Sequence, residues 1–231
     1  MKISAIVCAY NEAKTIKPIL EVLLSHPKVD EVIVVDDGST DRTRKVINSV
    51  KNQKLIVIHH KKNLGKGAAV AAGVKRVKGE ILLFIDADLI NFHPAHIDLL
   101  LAPLDINKNI MTIGLREARQ PHEKTFGLLM RSFGGERVVL RKFILPNIRR
   151  LETSGYGAEV IINLSHLGKH RPIIYIPLPG LIHKTKQQKH PIYKYAVDYL
   201  KENTDILKQY LMPENKALET FFKQVSRKLS I

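Results

Sequence analysis

The chain has 231 residues, 45% of them hydrophobic, enough for a substantial buried core and too apolar for a disordered chain. Its 37 basic and 22 acidic side chains leave a formal charge of +15, which favours anionic partners without choosing among nucleic acid, phosphorylated small molecules and anionic membrane. A single cysteine, Cys8, excludes an intrachain disulfide and suits an intracellular, cytoplasmic setting, and no apolar run approaches 18 residues, so no membrane span is expected.

In chain order, residues 3–9 are a β-branched apolar strand, and 13–25 carry a helical apolar face closed by Pro27. "EVIVVDD" (31–37) is a second apolar strand. "GSTDRTRKVINSV" then turns helical, with Ser39 or Thr40 as the expected N-cap and Asp41 in the first turn. "KLIVIHH" (54–60) is a third strand, 65–77 an alanine-rich helix opened by glycines, and "EILLFIDAD" (80–88) a fourth strand. Strands that are continuous apolar runs alternating with helices belong to a mostly parallel sheet covered on both faces, an α/β fold. The second half is less regular. It offers a strand at 109–115, a helix at 121–133, a loop feeding a helix over 153–168, an edge strand at 171–179 interrupted by Pro177 and Pro179, and helices at 192–210 and 214–229. One domain over 1–212, with a nucleotide-binding half to about residue 90 and an acceptor half beyond it, followed by a basic amphipathic helix in 213–231, is the simplest organisation.

Polar segments follow each of the first four strands: "AYNEA", "DDGSTD", "HKKNLGKGAA" and "DAD". In a parallel sheet these ends converge, and ligands bind there. Asp86 and Asp88 ending the most apolar strand suit a hard divalent cation, Mg2+ or Mn2+, shared with ligand phosphates. Asp36 or Asp37 suits a ribose or base edge, and Lys66 among glycines suits a phosphate. A nucleotidyltransferase would instead carry a glycine- and arginine-rich loop after the first strand. A non-catalytic nucleic-acid or membrane-surface binder would explain the charge but not the acid at strand ends, so no nucleic-acid partner is expected.

"IVCAYNEAKTI", "EVIVVDDGSTDRT", "NLGKGAAVAAG" and "ILLFIDADL", in this order and spacing, resemble family 2 glycosyltransferases of the GT-A fold. "GGERVVLRK" (134–142), "SGYGAEVII" (154–162) and "IPLPGLIHKTKQQK" (176–189) match that family more loosely. The nearest subgroup is that of dolichyl-phosphate mannosyltransferase-like and polyprenyl-phosphate glycosyltransferases; glucosyl-3-phosphoglycerate synthases share the motifs. The resemblance implies a metal-dependent transfer of sugar from a UDP- or GDP-sugar to an acceptor, either a polyprenyl phosphate or a soluble phosphorylated molecule such as phosphoglycerate. By the same resemblance Ala9, Tyr10, Asn11, Glu12 and Asp37 hold the nucleotide, Asp86 and Asp88 sit at the metal and diphosphate, His183 completes the metal site, and Arg137 is an active-site arginine. Lys66, Arg116, Lys184 and Lys186 are cationic candidates for the leaving group or a phosphorylated acceptor, and Glu159 is the candidate general base for a hydroxyl acceptor. Tryptophan is absent, which removes the Q-x-x-R-W motif of processive members. Leu218, Phe221, Phe222, Val225 and Leu229 line one face of the last helix beside Lys216, Lys223, Arg227 and Lys228, a pattern suited to peripheral contact with the inner face of the plasma membrane.

Overall fold

The structure, a computed structural model, describes residues 1–116, 134–155, 157–167 and 171–183. The helices expected at 121–133, 192–210 and 214–229, together with Lys184 and Lys186, lie outside the described residues. The elements are β1 (Ile3–Ala9), α1 (Ile16–Ser25), β2 (Glu31–Asp36), α2 (Thr43–Ser49), β3 (Leu55–His59), α3 (Lys66–Arg76), β4 (Ile81–Asp86), β5 (Leu89–Ile90), α4 (Pro94–Leu101), β6 (Met111–Arg116) and β7 (Arg137–Leu140). Short helices Arg141–Ile144 and Ile148–Glu152 and a longer one, Ala158–Leu167, precede β8 (Ile173–Leu178) and β9 (Ile182–His183). Among the described residues no helix is long and apolar enough to cross a membrane.

Among the described residues seven strands form one sheet in the order β3-β2-β1-β4-β7-β6-β8. β1 to β4 are mutually parallel, β7 runs antiparallel to β4 and β6, and β8 pairs parallel with β6 at the edge, where its prolines are tolerated. The apolar runs explain themselves by parity, because successive side chains on a strand point to opposite faces. Ala5, Val7, Val32, Val34, Leu83 and Val138 pack with α1, α2 and α4 on one face. Ile6, Ile33, Val35, Leu82, Phe84 and Val139 pack with α3 and the helix Ala158–Leu167 on the other.

Ser39 and Thr40 do not cap α2, which starts at Thr43 after Arg42 with no side-chain cap. Asp41 precedes the helix instead and accepts the Thr43 amide at 2.8 Å. β4 ends at Asp86, so Asp88 lies in the following turn rather than on the strand. α4, β5, β7, β9 and the helices between 141 and 152 were not foreseen.

α3 starts on glycines because its first turn is pressed against the turn ahead of the helix Ala158–Leu167. The Gly67 amide donates to Gly155 O at 2.8 Å, and a Cβ on Gly67 would stand 2.1 Å from Ser154 Oγ and 2.2 Å from Leu151 O. A backbone carbonyl cannot step aside cheaply, so Gly67→Ala is expected to cost about 2–3 kcal/mol, lowering the melting temperature by roughly 5–10 °C. An unchanged melting curve would show that this contact is looser than described.

The C-terminal turn of the helix Ala158–Leu167 is tied to the entry of β6 by His166, whose Nε2 lies 3.0 Å from Asn109 O. The carbonyl must accept, so the proton sits on Nε2, and Nδ1 has no partner among the described residues. Burial pushes His166 from 6.5 down to about 4, the Asn109 bond opposing and Arg171 adding to the fall. The unfolded chain therefore binds the extra proton first. The stabilisation from neutral His166 is full above pH 6.5 and is lost as pH falls towards 4, up to ~3 kcal/mol. Thermal melts at pH 7.5 and 5 should show a larger drop for the wild type than for His166→Gln.

Candidate active site

Register sets the site. Ala9 pairs with Asp36, Asp36 with His59, and Cys8 with Asp86, so the four parallel strands finish level along one sheet edge. The segments following them are laced together there. Asn11 takes a left-handed φ of 59°, and its Oδ1 accepts the Thr40 amide at 2.8 Å. The Glu12 amide donates to Thr43 Oγ1 at 2.7 Å. Thr15 Oγ1 donates to Ala87 O at 2.8 Å, fixing the peptide between Asp86 and Asp88 from the β1 side. Tyr10 stands 43% exposed at this edge, while Ala9 and Glu12 are buried.

The paired aspartates of β2 divide their work. Asp36 is buried and accepts Ser39 N at 3.0 Å and Arg44 Nε at 3.0 Å, with His59 Nδ1 at 2.9 Å. Burial alone would raise it, but bonds from Ser39, Arg44 and His59 hold it below the usual carboxylate range. Asp36 therefore joins the ends of β2 and β3 to α2. Asp37 accepts Leu64 N at 3.0 Å and Gly65 N at 2.9 Å, with His60 Nδ1 at 2.7 Å. It shapes the loop leading into α3. Gly38 closes this arrangement at φ 70°, where a Cβ would fall 2.3 Å from the Lys62 carbonyl carbon.

Strand parity puts Asp86 and Arg137 on the α3 face. Lys66 Nζ lies 2.8 Å from Asp86 Oδ1 and 2.5 Å from Glu159 Oε1, bridging β4 and the helix Ala158–Leu167. Burial would lower the ammonium, yet Asp86 and Glu159 hold it well above the usual lysine value, so it stays charged. Asp86 rests directly on Gly135, where a Cβ would come within 2.1 Å of its Oδ1. Arg137 is 1% exposed and donates from Nη1 to Asn163 Oδ1 at 2.8 Å and Glu159 O at 3.2 Å, and from Nη2 to Gly134 O. Its guanidinium faces inward and pins the Gly134–Gly135 segment to the helix that carries Glu159. Cys8 lines the same small cavity as Lys66, Asp86, Gly135, Arg137 and Glu159. Burial pushes its thiol up to about 12, so it supplies no thiolate.

Asp88 is 7% exposed in the turn after β4. β5 follows at once and pairs antiparallel with β9, Leu89 opposite His183 and Ile90 opposite Ile182. The backbone of His183 thus stands beside the residue after Asp88, although 95 positions separate Asp88 and His183 in the numbering. Among the described residues no three acidic, histidine or cysteine side chains gather closely enough to hold an ion alone. Asp86 ends β4 and Asp88 lies in the turn after it, with the His183 backbone alongside; hard carboxylate oxygens are the donor type that Mn2+ or Mg2+ takes together with diphosphate oxygens. Arg116 ends β6, three strands from β1, where the backbone alone is described. Gly135, His60 and Thr15 do structural work here that residue type alone does not single out. Their signal lay in the motif spacing.

The sequence matches the family described as Glycosyl transferase family 2 over residues 4–169. The chain belongs to that family. Within it, the chain is 33% identical over 144 residues to a dolichyl-phosphate β-glucosyltransferase of Trichomonas vaginalis, covering 56% of this chain and 43% of the relative. It is 30% identical over 192 residues to a dodecaprenyl-phosphate galacturonate synthase of Rhizobium johnstonii, covering 80% of this chain and 52% of that one. The chain thus spans about half the length, or less, of these curated relatives. In fold it is similar to the crystal structure of glucosyl-3-phosphoglycerate synthase from Mycobacterium tuberculosis in complex with Mn2+, UDP-glucose and phosphoglyceric acid. The TM-score is 0.71 at 23% identity, covering 93% of this chain and 81% of the other. The GT-A fold expected for a family 2 glycosyltransferase is thereby shown.

Proposed function

We propose that this family 2 glycosyltransferase moves a sugar from a nucleoside diphosphate sugar to a phosphate-bearing acceptor, with a polyprenyl phosphate as the first choice. The observation that carries this reading is the level set of parallel strand ends, which gathers Asp37, Lys66, Asp86 and Asp88 on one edge. In the transfer, an acceptor oxygen forms the new bond to the anomeric carbon. The bond from that carbon to the diphosphate breaks, and its electron pair leaves with the nucleoside diphosphate. A divalent ion, when bound, supplies positive charge against that leaving group. Asp88 and His183 would hold it, with Asp86 in support. Asp37 and residues 9–12 would seat the nucleoside. Lys66, anchored but still charged, adds fixed positive charge beside the diphosphate.

The acceptor choice is supported by Glu159. Its carboxylate is committed to Lys66 at 2.5 Å, an arrangement poorly suited to taking a proton from a hydroxyl. A phosphate acceptor is already an anion and needs no such base. The two named relatives use dolichyl and dodecaprenyl phosphates, which fits the lipid reading; the fold relative bound to phosphoglyceric acid supports a soluble phosphorylated acceptor as the second one. A lipid acceptor carries with it peripheral contact with the cytoplasmic membrane face, for which residues 214–229, with Lys184 and Lys186, are the candidates. The test is a panel of UDP- and GDP-sugars with Mn2+ or Mg2+, following nucleoside diphosphate release with polyprenyl phosphate, with 3-phosphoglycerate and with neither. Release stimulated by polyprenyl phosphate is the expected result. Stimulation by phosphoglycerate alone would move the assignment to the second reading, and no release with any donor would sink both.

A further inference from the structure

β5 and β9 are strands of two residues each, and a ladder that short does not hold itself together in water. Something else must fix the turn that delivers β9. Leu178 and Leu181 on either side of it are buried in the core cluster that includes Ile97 and Leu100 of α4. The polar tie comes from the first turn of α4. His96 is fully buried, its Nε2 lies 2.9 Å from Pro179 O, and its Nδ1 accepts the His93 amide at 3.3 Å. Because a carbonyl accepts and His93 N–H donates, one tautomer satisfies both bonds: proton on Nε2, lone pair on Nδ1. The ring is stacked on His93 with centroids 3.7 Å apart, so its plane is set as well. Asn91 Nδ2 adds a longer bond to Gly180 O at 3.4 Å. A buried imidazole costs more desolvation than a leucine of similar bulk, and the bond to Pro179 is what offsets that cost.

We infer that His96 is a positioning residue for the metal side of the site: its bond to Pro179 O fixes the turn at residues 179–181, and so holds the His183 backbone against Leu89, beside Asp88. This rests on the reading of Asp88 and His183 as metal ligands. His96 and the carbonyl it holds are 83 positions apart in sequence. Support of this kind orients a ligand without touching the ion, and its loss in metal sites typically lowers affinity by about 10–100-fold.

Two substitutions separate the two bonds of His96. A glutamine amide reaches the place of Nε2 and can still donate to Pro179 O. An asparagine amide reaches the place of Nδ1 and leaves Pro179 O unsatisfied. Mn2+ affinity is measured by electron paramagnetic resonance in the presence of UDP, and again with GDP, for wild type, His96→Gln, His96→Asn and Asp88→Ala. The expected result is near-wild-type affinity for His96→Gln and a loss of about tenfold or more for His96→Asn, with metal-free nucleotide affinity and the circular dichroism spectrum unchanged in both. Equal affinity for the two variants would overturn the inference, as would a loss in His96→Asn matched by an equal loss of metal-free nucleotide binding. Asp88→Ala distinguishes the two levels. If it abolishes Mn2+ binding while His96→Asn leaves it intact, the positioning role alone fails. If Asp88→Ala binds Mn2+ as well as wild type, the metal reading fails and the role of His96 falls with it.

Discussion

Replacing Asp88 with alanine is expected to lower turnover by about 10²–10³-fold, equivalent to ~3–4 kcal/mol of transition-state stabilisation, while leaving the fold intact. The separation of these two effects follows from the position of Asp88. It lies outside β4, in the turn after Asp86, so its removal takes nothing from the sheet ladder. The turn itself stays anchored through Thr15 Oγ1 on Ala87 O. On the proposed reading the substitution removes a hard oxygen ligand of the divalent ion that balances the leaving diphosphate. Nucleoside diphosphate release at saturating donor and metal measures the first effect, and a thermal melt measures the second. Turnover within a few-fold of wild type would remove Asp88 from the metal site.

Lys66→Met is expected to act on stability as well as on turnover. The ammonium sits between two carboxylates that are 16% and 12% exposed, and is itself 29% exposed. Removing it takes away the cation that Asp86 and Glu159 share and leaves their like charges close together. Breaking a buried pair costs about 3–5 kcal/mol; partial solvent access brings the expected figure to ~2–3 kcal/mol. Because the penalty is that of the stranded acids, Lys66→Met combined with Glu159→Gln should recover part of it, and urea denaturation of the single and double variants measures the recovery. No recovery in the double variant would mean that Lys66 and Glu159 are not coupled as described. Turnover should fall in both variants, since neither restores positive charge beside the diphosphate.

The placement of these two residues at one sheet edge is legible in the sequence. The strands of the first 90 residues are legible because each is an apolar run packed on both faces, and the polar segments at their ends could be assigned to one edge from the parallel topology alone. Asp86, Asp88, Asp37 and Lys66 follow from that edge. β7 was not legible. "RVVL" is four residues long, and its place between β4 and β6 depends on pairing with strands far away in the chain. Without that placement Arg137 reads as a free cation at an active site, when strand parity turns it inward against Asn163. The same holds for β5 and β9, where a two-residue ladder carries no pattern of its own, and for His96, whose role exists through a carbonyl 83 positions away. Caps were misjudged for a local reason: Asp41 competes for the Thr43 amide, so Ser39 and Thr40 are used to hold Asn11 rather than to start α2.

The central claim is that a divalent ion and a nucleoside diphosphate complete each other's site at the ends of β1 to β4. Isothermal titration of UDP and of GDP into the protein, once with Mn2+ and once with a chelator, tests it most directly. At least one nucleotide should bind, roughly tenfold or more tightly with the metal than without it. Binding of neither, or equal affinity with and without metal, would contradict the claim.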